Sequence, residues 1–230
     1  MKSFLGAYKK FFIALAIVSA VVVSLFYQAL KPKKTLPIYQ PNQVDASLVA
    51  DSLQHVKKYH KIADFSLINQ WGDTITQADF VGKIYVADFF FTTCLTICPV
   101  MSDHMSELQR EYAQDEQVLF LSHTVTPEID SVPVLQAYAE KKGAISGKWH
   151  LVTGDKKKLY ELARTSYLVV KTEGDGGPYD MIHTENFVLV DSKKQIRGYY
   201  DGTSTEAMQQ LKADIQLLKE LEEEAQASRN

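Results

Sequence analysis

The chain lacks several features that would assign it to a common class of protein. It has no basic stripe with interleaved aromatic residues, and its formal net charge is −3, which argues against a nucleic-acid partner. It contains no internal repeat and no low-complexity block, so nothing indicates a repeat protein. Cysteine is scarce, because only Cys94 and Cys98 occur among 230 residues. Three residues separate them, and such a pair is either a redox dithiol or two soft metal ligands.

The N-terminus carries one long run without charge, from Phe11 to Leu30. A run of this length fits one membrane-spanning helix. Lysines flank it on both sides, so the positive-inside rule does not fix its orientation. A cleavable signal peptide is the alternative, although signal h-regions are usually shorter and no clean small-x-small site follows the run. We therefore expect a tail over residues 1–10 and an uncleaved transmembrane anchor over residues 11–30.

The segment after the anchor, residues 31–44, contains three of the seven prolines and few side chains that could form a core. This composition predicts an extended linker. The remaining segment, residues 45–230, has a common size for a protein with one hydrophobic core. We expect it to fold as a single domain.

Strand and helix patterns alternate along this domain. Apolar strand patterns cover Ile84–Phe91, Val118–Val125 and Trp149–Thr153, and hairpins are predicted over Asp64–Thr76 and Asn186–Tyr200. Helical patterns follow Pro99 and cover Val132–Lys142, Lys156–Ser166 and Thr205–Ala227. This order predicts an α/β fold with a central mixed sheet flanked by helices. The cysteines then lie after the first central strand, at the carboxyl edge of the sheet, which is the layout of the thioredoxin-like fold.

The spacing of the two cysteines suits chemistry at the start of a helix. Cys94 and Cys98 are one helical turn apart, so both sulfurs can face the same point. The N-terminal end of a helix dipole favours the thiolate, which is the form that binds metals and attacks disulfides. Soft thiolates favour copper(I), and an added imidazole extends such a site to copper(II).

Other uses of the pair stay open at this point. A structural disulfide is natural outside the cytoplasm, but a bridge over so short a loop restricts the unfolded chain least. Zinc needs four ligands in a structural site, and Cys94, Cys98 and His183 supply three unless water or His123 joins them. Thiol-disulfide oxidoreductases share the predicted fold but usually have two residues between their cysteines. A peroxidase that uses the first cysteine alone lacks a supporting motif.

The residues around the cysteines carry a family resemblance. The run from Phe89 to Met101, Phe-Phe-Phe-Thr-Thr-Cys-Leu-Thr-Ile-Cys-Pro-Val-Met, resembles the Phe-Thr-x-Cys-x-x-x-Cys-Pro signature of the Sco/SenC family. The run Tyr179–Asp191 resembles the segment in which that family carries its copper-binding histidine, here His183. The resemblance extends over most of the chain between about residue 60 and residue 204, and the N-terminal anchor agrees with it.

This resemblance implies a function and a location. Members of the family are membrane-anchored, thioredoxin-like proteins implicated in copper delivery to cytochrome c oxidase. It implies that Cys94 and Cys98 hold copper as thiolates and that His183 completes the site. The implied partner is the copper-bearing oxidase subunit or another copper chaperone. The implied location is the inner membrane, with one span and the soluble domain on the periplasmic side. Thiol-disulfide oxidoreductase activity of the Cys94/Cys98 dithiol is the alternative function.

Two departures from the family pattern concern the surroundings of the site. The family often has Asp-His-Ser around its histidine, whereas this chain has Ile182-His183-Thr184, with Asp180 displaced by two positions. The family's aspartate-rich turn after the second core strand is replaced by residues 122–128. Among the other candidates, His123 is a possible neighbour or alternative ligand, and His104 is expected to face solvent. The methionines Met101, Met105 and Met181 are expected to pack rather than bind copper.

Overall fold

The chain divides into two units of very different size, Met1–Thr35 and Leu36–Asn230. In this computed structural model, the described residues are 8–30, 35–50, 53–170, 177 and 180–228. The first unit contains helix α1, Lys9–Leu30. Its segment Lys9–Tyr27 is long and apolar enough to cross a membrane, and none of it is buried inside the protein.

The second unit is built on one mixed sheet of seven strands in the order β2-β1-β5-β4-β3-β6-β7. Strands β3, β4 and β5 pair in parallel, and all other neighbours pair antiparallel, including the predicted hairpins β1–β2 and β6–β7. The strands are β1 Ser66–Asn69, β2 Thr74–Thr76, β3 Ile84–Phe90, β4 Val118–Thr124, β5 Trp149–Thr153, β6 Asn186–Val190 and β7 Ile196–Asp201.

Strand β3 is central, and all seven of its residues are buried. Alternate side chains of a strand point to opposite faces, so β3 contributes to two cores. Ile84, Val86 and Phe90 lie in the core that also contains both cysteines, whereas Tyr85, Ala87 and Phe89 lie in the other core. This double burial explains why β3 appears in the sequence as an almost continuous apolar run.

Helices cover both faces of the sheet. They are α2 Ile97–Glu111, α3 Val132–Lys142, α4 Lys156–Glu161 and α5 Thr205–Ala227. Helices α2, α3 and α5 bury their apolar stripes on the face of the cysteines, and α4 packs on the other face. Gly143 ends α3 in a left-handed conformation with φ of 69°, as the sequence predicted. The predicted thioredoxin-like fold, with a mixed sheet between helices, is confirmed.

Two details differ from the sequence predictions. The helix predicted over Lys156–Ser166 is α-helical only to Glu161 and continues as a π turn, Leu162–Ser166, closed by the bond from Tyr167 N to the Leu162 carbonyl (2.8 Å). The later part of the predicted linker packs on the second unit, because Arg197 donates hydrogen bonds to the carbonyls of Leu36 and Pro37, both 2.8 Å. The glycine-rich residues 174–178 lie outside the described residues, except for Gly177.

Candidate metal centre

The two cysteines lie where β3 meets α2, at the carboxyl edge of the parallel strands. Phe90 ends β3, and α2 begins at Ile97. Cys98 is in the first helical turn, but Cys94 lies in the turn before the helix, so the prediction that both belong to one helical turn is wrong. Thr96, at φ −110° and ψ −88°, separates the turn from the helix. The two thiols nevertheless lie close enough for each to shift the pKa of the other, and neither forms a disulfide.

The environment separates the acidities of the two thiols. Burial raises the pKa of Cys94, but hydrogen bonds from the Cys98 N–H, from the hydroxyl and N–H of Thr96, and from the Cys98 thiol outweigh it and lower that pKa to about 7. Burial raises the pKa of Cys98 to about 12, and the charges of Cys94 and Asp88 add to the increase. Near neutral pH, Cys94 is therefore the thiolate and Cys98 is the thiol that donates to it.

His183 lies beside the cysteine loop. Its imidazole is exposed, although Ile182 and Thr184 on either side of it are buried. The ring packs edge-on against Phe91, with 5.9 Å between centroids and 80° between planes. The carbonyl of Phe91 accepts the N–H of Cys94 at 3.2 Å, so Phe91 joins the histidine loop to the cysteine loop.

The three predicted ligands do not form a closed site in this conformation. Within the described part of the chain, no group of three or more His, Cys, Asp or Glu side chains is arranged to hold a metal ion. The structure therefore brings Cys94 and Cys98 together and leaves His183 next to their loop. An exposed side chain such as this imidazole can change its rotamer on the ps–ns timescale.

A second set of contacts holds the histidine loop. One guanidinium nitrogen of Arg164, on the π turn, donates to both carboxylate oxygens of Asp180 at 2.8 Å, and both side chains are largely buried. The Tyr160 hydroxyl donates to the Val125 carbonyl at 2.8 Å, with the Asp180 carbonyl at 3.1 Å as a second acceptor. Asp180, which is displaced from the family's usual position next to the histidine, therefore anchors this loop through Arg164.

His123 lies on the face of the sheet opposite the cysteines. Its neighbours Phe65, Phe89 and Tyr167 all belong to the other core. The ring stacks on Phe89 at 4.7 Å, and its Nδ1 lies 3.2 Å from the Asp88 carbonyl. Burial lowers the pKa of His123 to about 4, so the ring is neutral. This position excludes a direct role beside the thiols.

His104 and the methionines were assigned from the sequence to surface and packing roles. His104 is only half exposed, because its Nδ1 contacts the Gly202 carbonyl at 2.8 Å, so the expectation that it faces solvent is only partly met. Met101 and Met105 are fully buried in the core that contains the cysteines, as expected. Met181 is 40% exposed, so the expectation that it packs in the same way is wrong.

Two buried carboxyl groups near the site were missed by the sequence analysis. Asp88 is the only acidic residue of β3, on the face of the cysteines, and its pKa is raised by burial to about 7. Within the described residues, one of its carboxyl oxygens has no hydrogen-bond partner. A single acidic residue inside an apolar strand is a signal that the sequence offered.

The second missed residue, Asp130, lies beyond the end of β4 and hydrogen-bonds to Thr92 of the cysteine loop. No sequence signal linked these two residues.

Comparison with known proteins identifies relatives of this chain. A family model described as SCO1/SenC matches residues 54–219, which is more than half of the chain. The structure of a SCO1/SenC family lipoprotein from Bacillus anthracis is similar, with a TM-score of 0.59, 29% identity, and coverage of 70% of this chain and 95% of that chain. BsSco, a member of the Sco family of cytochrome c oxidase assembly proteins with a disulfide switch, has a TM-score of 0.59 and 26% identity, covering 69% and 93%.

A relative with bound copper is also similar. Bradyrhizobium japonicum ScoI, solved with copper bound, has a TM-score of 0.54 and 26% identity, and the match covers 67% of this chain and 99% of that chain. The family model, the shared fold and the cysteine motif at the sheet edge agree. This chain belongs to the SCO1/SenC family.

Proposed function

We propose that this chain is a membrane-anchored, copper-binding assembly protein that delivers copper, or reducing equivalents, to the copper centre of a respiratory cytochrome oxidase. The observation that carries the proposal is the pair of neighbouring free thiols at the sheet edge, with His183 packed against Phe91 beside the same loop. Membership of a family that includes copper-bound and oxidase-assembly proteins supports it.

The donor set fits copper as a cargo. In the proposed site, Cys94 and Cys98 bind copper(I) as thiolates, which are soft ligands, and His183 adds an imidazole. Cys94 readily loses its proton at neutral pH, because its pKa is about 7. Cys98 must lose its proton to the solvent as copper binds, so binding strengthens as the pH rises. His183 contributes by turning its exposed ring from Phe91 towards the thiols.

The two cysteines are buried, but the exposed residues beside them suit transfer rather than storage. Leu95, between the two cysteines, is 92% exposed, and His183 is exposed as well. A partner's ligands can therefore approach the metal from the solvent side and exchange with these three. Oxidation of the pair to a disulfide removes both thiolates and two electrons, and it releases the metal.

The location belongs to the same proposal. Helix α1 serves as a single-pass anchor in the cell inner membrane, with the folded unit on the periplasmic side. Its length, its apolar composition and the absence of burial along Lys9–Tyr27 support a single span, and the periplasmic side is what the family resemblance implies. The Bacillus anthracis relative is a lipoprotein, so attachment to a membrane also occurs in a similar protein.

One observation favours a second candidate function, thiol-disulfide exchange. A thiolate near neutral pH beside a buried second thiol is the arrangement of a redox dithiol. In such a reaction Cys94 attacks a partner disulfide, and Cys98 then resolves the mixed disulfide, so that two electrons and two protons pass to the partner. This function needs Cys94 and Cys98 but not His183.

A copper(I) competition titration distinguishes the two functions. We would titrate the reduced full-length chain in detergent against a chromophoric copper(I) chelator and compare it with the variants His183→Ala, Cys98→Ser and His55→Ala. We expect one tightly bound copper per chain, an affinity at least about tenfold weaker for His183→Ala, and a larger loss for Cys98→Ser. His55 is also an exposed histidine, so His55→Ala controls for the loss of any imidazole.

Two results would contradict the copper proposal. Wild-type protein that binds no copper tightly, yet cycles between dithiol and disulfide, would make the chain a thiol oxidoreductase. Equal affinities for wild type, His183→Ala and His55→Ala would remove His183 from the proposed site.

A further inference from the structure

The loop that carries Cys94 is held to the body of the domain at one point. Apart from the local bond between Cys94 N and the Phe91 carbonyl and the contacts with the first turn of α2, the hydrogen bonds that the structure describes from residues 92–96 both end on Asp130. The Thr92 N–H lies 3.3 Å from one carboxylate oxygen, and the Thr92 hydroxyl donates to the other. Thr93, Leu95 and Thr96 are exposed. Asp130 therefore tethers the turn two residues before Cys94.

The carboxylate of Asp130 is fully buried and is surrounded by donors. Besides the two groups of Thr92, the hydroxyl of Thr124 donates to it, and the hydroxyl of Thr126 donates at 3.0 Å. Three of these four bonds end on Oδ2, and the bond from the Thr92 hydroxyl ends on Oδ1, so both carboxylate oxygens accept hydrogen bonds. Among the described residues no cation pairs with Asp130. A buried charge with no counter-ion is costly unless it is fully hydrogen-bonded, so every donor in this set matters.

The donors come from two different parts of the chain. Thr124 and Thr126 belong to the end of β4 and the turn that follows it, close to Asp130 in sequence, and they would shape this turn whether or not a metal site existed. Thr92 is 38 residues away in sequence and belongs to the cysteine loop. The bonds from Thr92 are therefore the ones that connect the carboxylate to the thiols.

We propose that Asp130 is a positioning residue for the copper-exchanging thiols, and that it acts by clamping Thr92 so that Cys94 stays next to Cys98. This inference rests on the proposed function and extends it to a residue outside the ligand set. A loop that is already ordered loses less conformational entropy when it binds a metal or closes a disulfide. Partners behind the ligands of a metal site typically change its affinity by about 10- to 100-fold.

The test uses substitutions on the two sides of the clamp. Asp130→Ala removes the acceptor, whereas Asp130→Asn keeps the shape and can keep the bonds if the Thr92 hydroxyl reverses its direction. Thr92→Val removes the hydroxyl, and Thr92→Ser restores it.

Two substitutions serve as controls. Thr126→Val removes a bond to the same carboxylate outside the cysteine loop. Asp191→Asn alters a different buried carboxylate, which accepts bonds from Lys193 N, Gln195 N and Arg197 in the β6–β7 turn.

Two quantities are measured on the full-length chain in detergent, at a temperature where circular dichroism shows each variant folded. The first is copper(I) affinity by chelator competition. The second needs no metal and is the equilibrium constant with oxidised glutathione, in which two thiols become a disulfide while one glutathione disulfide becomes two glutathione thiols. Wild type that binds no copper would refute the proposed function, but the second measurement would still test whether the Asp130–Thr92 bonds position Cys94.

We expect Asp130→Ala to weaken copper affinity by about tenfold or more and to lower the disulfide-forming constant at least about threefold, because the thiols lose effective concentration. Thr92→Val should lower both the copper affinity and the disulfide-forming constant. Thr92→Ser and Asp130→Asn should recover most of that loss, and Asp191→Asn should stay within twofold of wild type.

The positioning role of Asp130 is refuted if Thr92→Val matches wild type in both quantities. It is also refuted if Thr126→Val and Asp191→Asn lower the two quantities as much as Thr92→Val does. Because Thr92→Val and Thr92→Ser decide the matter, an Asp130→Ala variant that fails to fold leaves the test intact.

Discussion

Asp88 shows how one residue sets a pH dependence. Its carboxyl group is 1% exposed, and burial raises its pKa from 3.8 to about 7. The native state therefore keeps the proton between about pH 4 and pH 7, where the unfolded chain has lost it. Stability falls with rising pH wherever the native state binds more protons, so this group's contribution is present below about pH 4 and is lost as the pH passes 7.

We predict that Asp88→Asn removes this dependence. The free energy of unfolding of wild type, relative to the variant, should fall by up to roughly 4 kcal/mol between pH 4 and pH 8, since each pKa unit corresponds to 1.36 kcal/mol. Chemical unfolding of the metal-free chain at several pH values measures it. Asp103→Asn, at an exposed carboxylate, serves as the control. If the difference in free energy of unfolding between wild type and Asp88→Asn stays constant over this pH range, Asp88 has a normal pKa.

The two thiols should differ in reactivity as they differ in acidity. Alkylation by iodoacetamide requires the thiolate, so the rate at Cys94 should rise with a midpoint near pH 7, whereas Cys98 should stay slow below about pH 11. Peptide mass spectrometry after timed alkylation of the metal-free chain assigns each rate. Thr96→Val removes one donor to the Cys94 sulfur and should move its midpoint upward. Equal rates at both cysteines near pH 7 would contradict the assigned roles.

At the scale of elements, the π turn after α4 connects the core to the histidine loop. Arg164 of this turn holds Asp180 in a largely buried ion pair, whereas Lys194 and Asp64 form an exposed pair of similar length. We predict that Arg164→Leu lowers the free energy of unfolding by about 3 kcal/mol, because it leaves a buried carboxylate without this partner. Lys194→Leu should change it by less than about 1 kcal/mol. Chemical unfolding of both variants checks this, and equal effects would mean that the Arg164 pair contributes no more than a surface pair.

Elements with strong periodicity were predictable from the sequence. The run of β3 is apolar on both faces because it lies between two cores, and Gly143 ends α3 because the chain turns there with a positive φ. The π turn was not predictable, since Leu162–Ser166 continues the helical pattern and only its tertiary packing widens the turn. The position of Cys94 before the helix was missed for a related reason, because spacing alone does not mark the first helical residue.

The candidate site residues could be chosen from the sequence, but the contacts that support them could not. The cysteine pair and His183 carry motifs, and the alternation of strands and helices indicates the sheet edge at which the cysteines lie. The contacts that hold them come from distant residues of ordinary type, such as Thr92 with Asp130 and Arg164 with Asp180. Single-sequence reasoning sees residue types and local spacing, whereas these pairs depend on which loops the topology brings together.

At the scale of the whole molecule, the account requires a protein fixed to a membrane. We predict that the full-length chain stays in the membrane fraction after extraction at alkaline pH, because the apolar helix α1 is inserted in the bilayer. A chain that starts at Leu36, the first residue of the second unit, should be found in the soluble fraction. Sedimentation followed by immunoblotting measures both. If the chain expressed at full length is instead found in the soluble fraction and is shortened at its N-terminus, the result indicates cleavage of a signal peptide.

The measurement that tests the central claim most directly is X-ray absorption at the copper edge on the copper(I)-loaded full-length chain, for wild type and His183→Ala. The account predicts two sulfur ligands and one nitrogen ligand in wild type, and two sulfur ligands without that nitrogen in His183→Ala. The His55→Ala control should match wild type. A copper environment without sulfur, or one that His183→Ala leaves unchanged, would contradict the assignment of Cys94, Cys98 and His183 as the copper site.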